Sequence, residues 1–395
     1  MSRLHEIEAT DYVLSEEFTR RVSTPALVIY LDFVRENLNR VIELLDGRVD
    51  RWRPHVKSTK LPAVFAELAR AGVRGFKCAT LREADQLSLA LAQESVVGAD
   101  ILVAYPLIGP ALEGLGRLAT TRPESRFSVL CEDPDAVESV AAEVDLFVDV
   151  NSGMDRTGVP LEDRARVLEI ARRAAGRFRG VHSYDGHLTQ PDPEQRREAV
   201  FACYDRLGGL VNFLRESRVR VAELVTSGTP AFLSALQYRG FDEFPDTVHR
   251  LSPGTVVFHD LRSEEESEGL RLKPAALLLT RVVSHPREDR VTCDAGSKSI
   301  AAEAGDPCAL VLGHPELKPL RPSEEHLPLA VRRGPLPPRG TELLLVPRHV
   351  CPTVNLAEQA ILVEGGEVRE IAPVSARAHD LLLGVPEGGG TKSRS

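Results

Sequence analysis

Two short stretches of this chain carry residue types suited to chemistry. The first is Arg53-Pro54-His55-Val56-Lys57-Ser58-Thr59-Lys60. It ends a short apolar run with a lysine. A lysine at the end of a strand can be partly desolvated, which lowers its pKa and makes its amine a nucleophile able to form a Schiff base with an aldehyde. Lys60 is the rival, nearer the start of the next helix, and an ordinary surface lysine is the plainer reading of Lys57. The second stretch is Pro347-Arg348-His349-Val350-Cys351-Pro352. In an extended segment residues i and i+2 point the same way, so His349 and Cys351 could grip one metal ion. Imidazole and thiolate favour zinc, with manganese or magnesium as other candidates. Two protein donors leave coordination positions open, as catalysis requires. The simpler alternative on this spacing is a buried cysteine beside an unrelated histidine.

Further candidates follow strand-like runs. Val225-Thr226-Ser227-Gly228-Thr229-Pro230 opens a helix, and its small residues Ser227, Gly228 and Thr229 leave backbone N–H groups to face an anion. Ser252-Pro253-Gly254-Thr255 repeats the pattern one strand later through Gly254 and Thr255. Such turns are also common with no ligand. Arg156 lies just past another strand, where a surface arginine is the default. Tyr184-Asp185-Gly186-His187 ends the next strand, and its plain reading is a hydrogen-bonded Tyr184 and His187.

The elements that must position these residues alternate along residues 24–260. Apolar, often β-branched runs occur at 26–31, 50–57, 75–79, 100–105, 126–131, 145–150, 178–183, 221–226 and 255–258. Helical patterns lie between most of them, at 33–45, 61–71, 81–92, 135–142, 163–175 and 194–215. The first has Phe33, Val34, Leu38, Val41, Ile42 and Leu45 on one face. Repeated β-then-α units predict a parallel sheet. About eight of them predict an α/β fold with a closed (β/α)8 TIM barrel, which puts reactive groups at the C-terminal strand ends. An open doubly wound sheet is the alternative. Ser263-Glu264-Glu265-Glu266-Ser267-Glu268 then reads as a solvated loop. β-like runs follow at 275–283, 290–293, 308–312, 327–331, 341–346, 359–363 and 368–371, separated by Pro- and Gly-rich connectors. The expected organisation is a barrel over 24–260, a mainly β domain from 1–23 and 261–386, and a disordered tail over 387–395.

Composition bounds the partners. The 395 residues are 43% hydrophobic and 27% charged, with a formal net charge of −9. That balance is ordinary for a soluble protein and argues against nucleic acid as a partner. No apolar run approaches membrane-spanning length. The first twenty-one residues lack a signal-type apolar core, and the six cysteines form no CxxC. The expectation is a cytoplasmic protein with reduced thiols.

Taken together these stretches resemble the D-threonine aldolase / D-serine dehydratase family, which shares its barrel with alanine racemase. The resemblance covers about residues 24–373. It is carried by Thr24-Pro25-Ala26-Leu27-Val28, Arg53-Pro54-His55-Val56-Lys57, Phe76-Lys77-Cys78-Ala79-Thr80-Leu81-Arg82-Glu83-Ala84 and Asp100-Ile101-Leu102-Val103-Ala104-Tyr105-Pro106. Tyr184-Asp185-Gly186-His187, Asp294-Ala295-Gly296-Ser297-Lys298 and His349-Val350-Cys351-Pro352-Thr353-Val354-Asn355-Leu356 complete it, the last being the most specific. The resemblance implies pyridoxal 5'-phosphate on Lys57 and phosphate contacts from Ser227, Gly228, Thr229, Gly254 and Thr255. It places Arg156 near the pyridine ring and Tyr184 in the cofactor site, with a divalent metal on His349 and Cys351. It also implies a small-molecule D-amino acid substrate and a homodimer.

Departures from the family pattern bear on the reaction. A histidine common between the two lysines is Thr59 here, and a tyrosine common after Gly-Thr is Val256. Aldolases of the family carry a further histidine after the Tyr motif, where this chain reads Thr189-Gln190-Pro191. The cysteine of His-Val-Cys resembles the dehydratase branch, where aldolases often place a carboxylate. The expected reaction is therefore dehydration of a D-3-hydroxy amino acid to a 2-oxo acid and ammonia, with Lys57 and His187 as candidate catalytic residues. Retro-aldol cleavage to glycine and an aldehyde is the alternative. A racemase of the alanine type uses a second-domain tyrosine, and all six tyrosines here precede that domain's main part at 261–386. A non-enzymatic cofactor carrier would need neither the β domain nor the His-Cys pair.

Overall fold

The computed structural model describes residues 9–267 and 269–380. The first strand, β1 (Ala26–Tyr30), is followed by β2 (Gly75–Cys78), β3 (Ala99–Val103), β4 (Ser125–Cys131) and β5 (Val144–Asn151). Then come β6 (Val159–Pro160), β7 (Phe178–His182), β8 (Glu223–Thr226) and β9 (Val248–Leu251). Seven of these pair in parallel in the order β2-β3-β4-β5-β7-β8-β9, with β6 as a side bridge on β5. Residues 52–55 supply the eighth stave. Trp52 bridges Leu251 of β9, and His55 bridges Lys77 of β2. The Arg53 N–H donates to Leu251 O at 2.8 Å, and the Lys77 N–H to Pro54 O at 2.9 Å. Pro54 has no N–H to give, so this stave makes bridges rather than a full ladder while still closing the ring.

Helices between the staves follow from capping and apolar spacing. Leu81–Gln93 starts at Thr80, whose hydroxyl accepts from the Glu83 N–H at 3.1 Å. Pro193–Glu216 starts at Asp192, whose carboxylate accepts from the Glu194 and Gln195 N–H groups. Pro62 takes the first position of Pro62–Arg70, where its missing N–H costs nothing. Side chains such as Trp52, Phe76 and Phe127 are fully buried in the main core, and Phe147 is buried in a separate cluster with Leu102, Leu130 and Val225 from the staves. Each contributes roughly 1.5–3 kcal/mol of hydrophobic stabilisation.

The floor of the barrel, at the N-terminal strand ends, is ionic. Arg53 is completely buried, 3.1 Å from Asp100 and 2.8 Å from Glu223. Arg179 pairs with Asp100 at 2.7 Å and Asp145 at 3.1 Å, and Arg250 with Glu223 at 2.5 Å. Gly180 has to be glycine here, because a Cβ would lie 1.8 Å from the Glu223 carbonyl oxygen.

A second sheet is built from β10 (Ala276–Arg287), β11 (Arg290–Cys293), β12 (Ala309–Val311) and β13 (Leu317–Pro319), followed by β14 (Leu327–Val331), β15 (Glu342–Pro347), β16 (Gln359–Glu364) and β17 (Glu367–Pro373). Its path is β13-β14-β11-β10-β1-β16-β17, with β15 joining β10 to β12.

Several local expectations change. The run at 26–31 is a strand, but β1 lies antiparallel to β10 and parallel to β16 in the second sheet. The run at 255–258 is a 3-10 turn, Thr255–Val257. The pattern at 135–142 shrinks to a 3-10 turn, Asp135–Ser139, and the helix Pro110–Thr121 appears where none was expected. The acidic run after residue 262 is no solvated loop. Leu261–Glu266 is a helix that buries Ser263 and Glu264, the latter 2.8 Å from His259. Between residues 9 and 23 the chain forms two short helical turns, and the tail at 387–395 lies outside the described residues.

Candidate active site

The C-terminal ends of the staves open on a cavity that the second unit completes. Lys57, Ser58 and His55 line it from the closing stave, and Lys77 from β2. Tyr184 and Gly186 follow β7, Gly228, Thr229 and Pro230 follow β8, and Ser252, Gly254 and Thr255 follow β9. Asp260, Arg262, Ser263 and Glu266 come from the helix at 261–266 and its cap, and His349 and Cys351 from the second unit.

Lys57 sits in the 3-10 turn Val56–Ser58 that ends its stave, half-buried, with its N–H facing His55 Nδ1 at 3.5 Å. Burial, then the charges of Lys57 and Lys77, hold the His55 pKa well below the usual histidine range. His55 is therefore a neutral acceptor that fixes the turn. Lys60 is engaged elsewhere. It is buried, 2.5 Å from Glu83 Oε1 and 3.4 Å from the Ala376 carbonyl oxygen. Its amine supports the barrel wall, whereas Lys57 lines the cavity.

The anion-facing loops are used differently from their sequence reading. Ser227 is fully buried at φ +64°, and its hydroxyl donates to Gly228 O at 2.8 Å. The Gly228 N–H donates to Asp185 Oδ1 at 2.9 Å. Among the described residues, the N–H groups of Thr229, Gly254 and Thr255 have no protein acceptor. The Ser252 hydroxyl is buried without a partner. These four donors belong to cavity-lining residues, and an unpaired buried hydroxyl costs about 1–3 kcal/mol unless a ligand satisfies it. The set fits a phosphate group. Gly254 is required for close approach, since a Cβ there would lie 2.3 Å from His55 O.

Tyr184 lines the cavity, and the exposed Arg156 guanidinium stacks 4.9 Å from its ring centroid. Arg156 thus supports Tyr184 from outside the lining. Asp185 is buried and accepts from Tyr204 Oη at 2.7 Å as well as from Gly228. Burial pushes its pKa up. His187 also lies outside the lining. Its Nδ1 is buried without a partner, and its Nε2 is 3.1 Å from where a Gly153 Cβ would stand.

His349 and Cys351 share the cavity, although the segment is not extended. β15 ends at Pro347, His349 is the N-cap, and Cys351 falls in the first turn of the helix Val350–Leu356. The corner keeps the two side chains close enough that each shifts the other's pKa. Burial alone would raise the Cys351 pKa, but the His349 imidazole more than reverses this and leaves it below the usual thiol range. Burial lowers the His349 pKa, and Cys351 and then Asp260 overcome that and leave it raised. Cys351 Sγ is 3.1 Å from Ser58 Oγ and 3.5 Å from Thr255 Oγ1. Among the described residues, no group of three or more His, Cys, Asp or Glu side chains gathers as a metal site. The pair offers a soft donor set with positions left over.

Sequence reasoning passed over Lys77, Asp260, Arg262 and Glu266. Asp260 locks the two units together. Its Oδ1 accepts from the Ser263 N–H at 2.7 Å and its Oδ2 from the Val350 N–H at 2.9 Å. An aspartate three residues before Ser263 is a capping signal that could have revealed that helix.

Comparison with known proteins agrees with this architecture. The family model "Alanine racemase, N-terminal domain" matches residues 29–258, and "Putative serine dehydratase domain" matches 275–363. A D-threonine aldolase from Arthrobacter sp is 31% identical over 373 residues, covering 90% of this chain and 93% of that protein. A D-threo-3-hydroxyaspartate dehydratase from Delftia sp. (strain HT23) is 25% identical over 378 residues, covering 87% and 95%. The crystal structure of D-threonine aldolase from Filomicrobium marinum superposes with a TM-score of 0.77 at 28% identity, covering 90% of this chain and 96% of that one. No helix among the described residues is long and apolar enough to cross a membrane. With the barrel, the cavity lysine and the phosphate-type donors in place, this chain belongs to the D-threonine aldolase / D-serine dehydratase family of pyridoxal-phosphate-dependent lyases, built on the alanine-racemase barrel.

Proposed function

We propose that this protein is a lyase of a D-3-hydroxy amino acid that removes the β-hydroxyl, yielding a 2-oxo acid and ammonia. Lys57 carries the cofactor and His349 with Cys351 hold a divalent metal. The observation behind this choice of reaction is the make-up of the cavity. His349 and Cys351 line it together with Lys57. His187, the candidate base for a β-hydroxyl proton, is packed against Gly153 outside it.

Bound pyridoxal phosphate supplies an electron sink for the charge left on Cα when a bond there breaks. The N–H groups of Thr229, Gly254 and Thr255 and the Ser252 hydroxyl would hold its phosphate. Tyr184, stiffened by Arg156, forms the wall beside Lys77. The Lys57 amine would receive the Cα proton at Nζ. A metal on His349 and Cys351 would supply Lewis acidity toward the β-hydroxyl. Asp260 holds the backbone of Val350 and so fixes where those two donors stand.

Retro-aldol cleavage on the same residues is the second reading. The relative at 31% identity is named a D-threonine aldolase. That reaction needs a base for the β-hydroxyl proton. The test is a product assay on metal-loaded holoenzyme with D-serine, D-threonine and D-threo-3-hydroxyaspartate. Ammonia and oxo acid should form faster than glycine and aldehyde. The opposite ratio would replace dehydration with aldol cleavage and make His187 the first residue to substitute.

A further inference from the structure

A second amine shares the cavity with Lys57. Lys77, on β2, is only 2% exposed yet lines the cavity. Buried lysines are nearly always ion-paired, as Lys60 is with Glu83. Among the described residues Lys77 has no ion pair. Its hydrogen-bond partner is His182 Nε2, 3.5 Å from Nζ. That histidine is itself held, with Nδ1 2.7 Å from Asp149 Oδ1, and Thr157 Oγ1 donates to Asp149 Oδ2 at 2.8 Å.

The proton positions follow from these contacts. Burial raises the Asp149 pKa, but the His182 hydrogen bond overcomes this and keeps it below the usual carboxylate range. Burial lowers that of His182. An ionised acceptor at Nδ1 and a neutral ring put the proton on Nδ1, so Nε2 offers a lone pair and Lys77 is the donor. One N–H of Lys77 is thereby directed at His182, and the rest of the amine is free for the cavity.

The groups around Nζ leave it short of negative charge. Lys57 and Arg53 repel a proton there, and Asp149 and Asp185 attract one. Both carboxylates are occupied, Asp149 by His182 and Thr157, and Asp185 by Tyr204 and Gly228. His55 is held neutral. The Tyr184 ring, whose own pKa burial raises, lies 5.9 Å away and contributes only its π face. Burial and then Lys57 bring the Lys77 pKa down to about 7. A lysine so placed is built to meet an anion that the protein does not supply.

We propose that Lys77 is the counter-cation for an anionic oxygen entering the cavity, positioned by His182 and Asp149, and that it takes up a proton when that oxygen binds. The proposal rests on reading this cavity as the cofactor site. The phosphate already has its donors at Thr229, Gly254, Thr255 and Ser252. The oxygen is therefore either the cofactor's phenolate or the substrate's carboxylate.

The experiment uses holoenzyme of the wild type, Lys77→Met and Lys77→Arg. Methionine removes a buried cation at matched length, so the fold should survive, and a thermal melt checks this. Cofactor absorbance of the wild type tests the underlying reading separately, since its absence would overturn the cofactor site itself. Two measurements then follow. One is cofactor absorbance against pH without substrate. The other is calorimetric binding of D-lactate, a carboxylate with no amine to compete with Lys57, in two buffers of different ionisation heat. If the oxygen is the substrate's, the wild type takes up part of a proton on binding. Lys77→Met then loses that uptake and binds about tenfold more weakly with an unchanged spectrum. If it is the cofactor's, Lys77→Met moves the absorbance midpoint by about one pH unit or more and leaves D-lactate binding alone. Lys77→Arg restores the D-lactate affinity or the absorbance midpoint, but its permanently charged guanidinium takes up no proton. A folded Lys77→Met that matches the wild type in both measurements overturns the proposal.

Discussion

Arg53→Met tests how the barrel floor holds the stave that ends in Lys57, the proposed cofactor lysine. Arg53 is completely buried, four residues before Lys57, on a stave that makes only bridges. Its guanidinium reaches Asp100, Glu223 and the Phe76 carbonyl oxygen at 3.1, 2.8 and 3.2 Å. Removing one partner of a buried ion pair costs about 3–5 kcal/mol, because the other charge is left uncompensated. Here Asp100 keeps Arg179 and Glu223 keeps Arg250, so the expected loss falls to about 2–3 kcal/mol. For a barrel-sized unit that is roughly 4–12 °C in Tm. The pH dependence has a definite sign. Burial pushes the Asp100 and Glu223 carboxyls up, and Arg53 leads the charges that bring both below their usual range. Depressed carboxylate pKa values contribute stability above the unfolded pKa of about 4, and it is lost as pH falls through the folded values. The gap between wild type and variant should therefore be widest near neutral pH and narrow on acidification below about pH 4. Circular-dichroism melts at pH 7 and at about pH 2.5 measure both effects, and borohydride trapping of the cofactor reports whether Lys57 has moved. An Arg53→Met protein melting within about 1 °C of wild type at pH 7 would refute the reasoning.

Other predictions bear on the cavity itself. Borohydride reduction and peptide mapping should place the cofactor label on Lys57, and Lys57→Ala should lose the cofactor's absorbance; a label on Lys60 would reverse the assignment. Chelation should abolish turnover while leaving cofactor absorbance and the melt nearly intact, because the two proposed donors sit in a helix corner whose fold does not depend on the metal. Collapse of the fold on chelation would make the metal structural, and full activity after it would remove the metal from the mechanism. Asp260→Ala frees the Ser263 and Val350 N–H groups and should cost about 1–3 kcal/mol. It should lower metal affinity together with activity, because His349 and Cys351 lose their anchor. An activity loss with unchanged metal affinity would show that Asp260 acts elsewhere.

Local patterning carried much of the fold, and its failures share one physical cause. Apolar, β-branched runs located most strands of both sheets, including β10 to β12 and β14 to β17. Such a run says that a segment is extended and buried, not which sheet it joins. β1 was therefore read as a barrel strand, although its partners β10 and β16 come from the far end of the chain. The same limit governed the acidic run, whose Glu264 is buried beside His259.

The site shows the limit most sharply in its lysines. Lys57, Lys60 and Lys77 lie within one short stretch and are chemically identical as sequence. Structure separates them by the anion each one meets. Lys60 meets Glu83 and becomes part of the wall. Lys57 lies at a stave end and lines the cavity. Lys77 meets a neutral histidine whose own proton is already committed to Asp149. Strand-end position singled out Lys57 because a barrel's geometry makes that position chemical. It could not exclude Lys60 or reveal Lys77, since both assignments depend on contacts made across the barrel. A residue's type thus bounds its chemistry, and its long-range partners decide which part of that chemistry it uses.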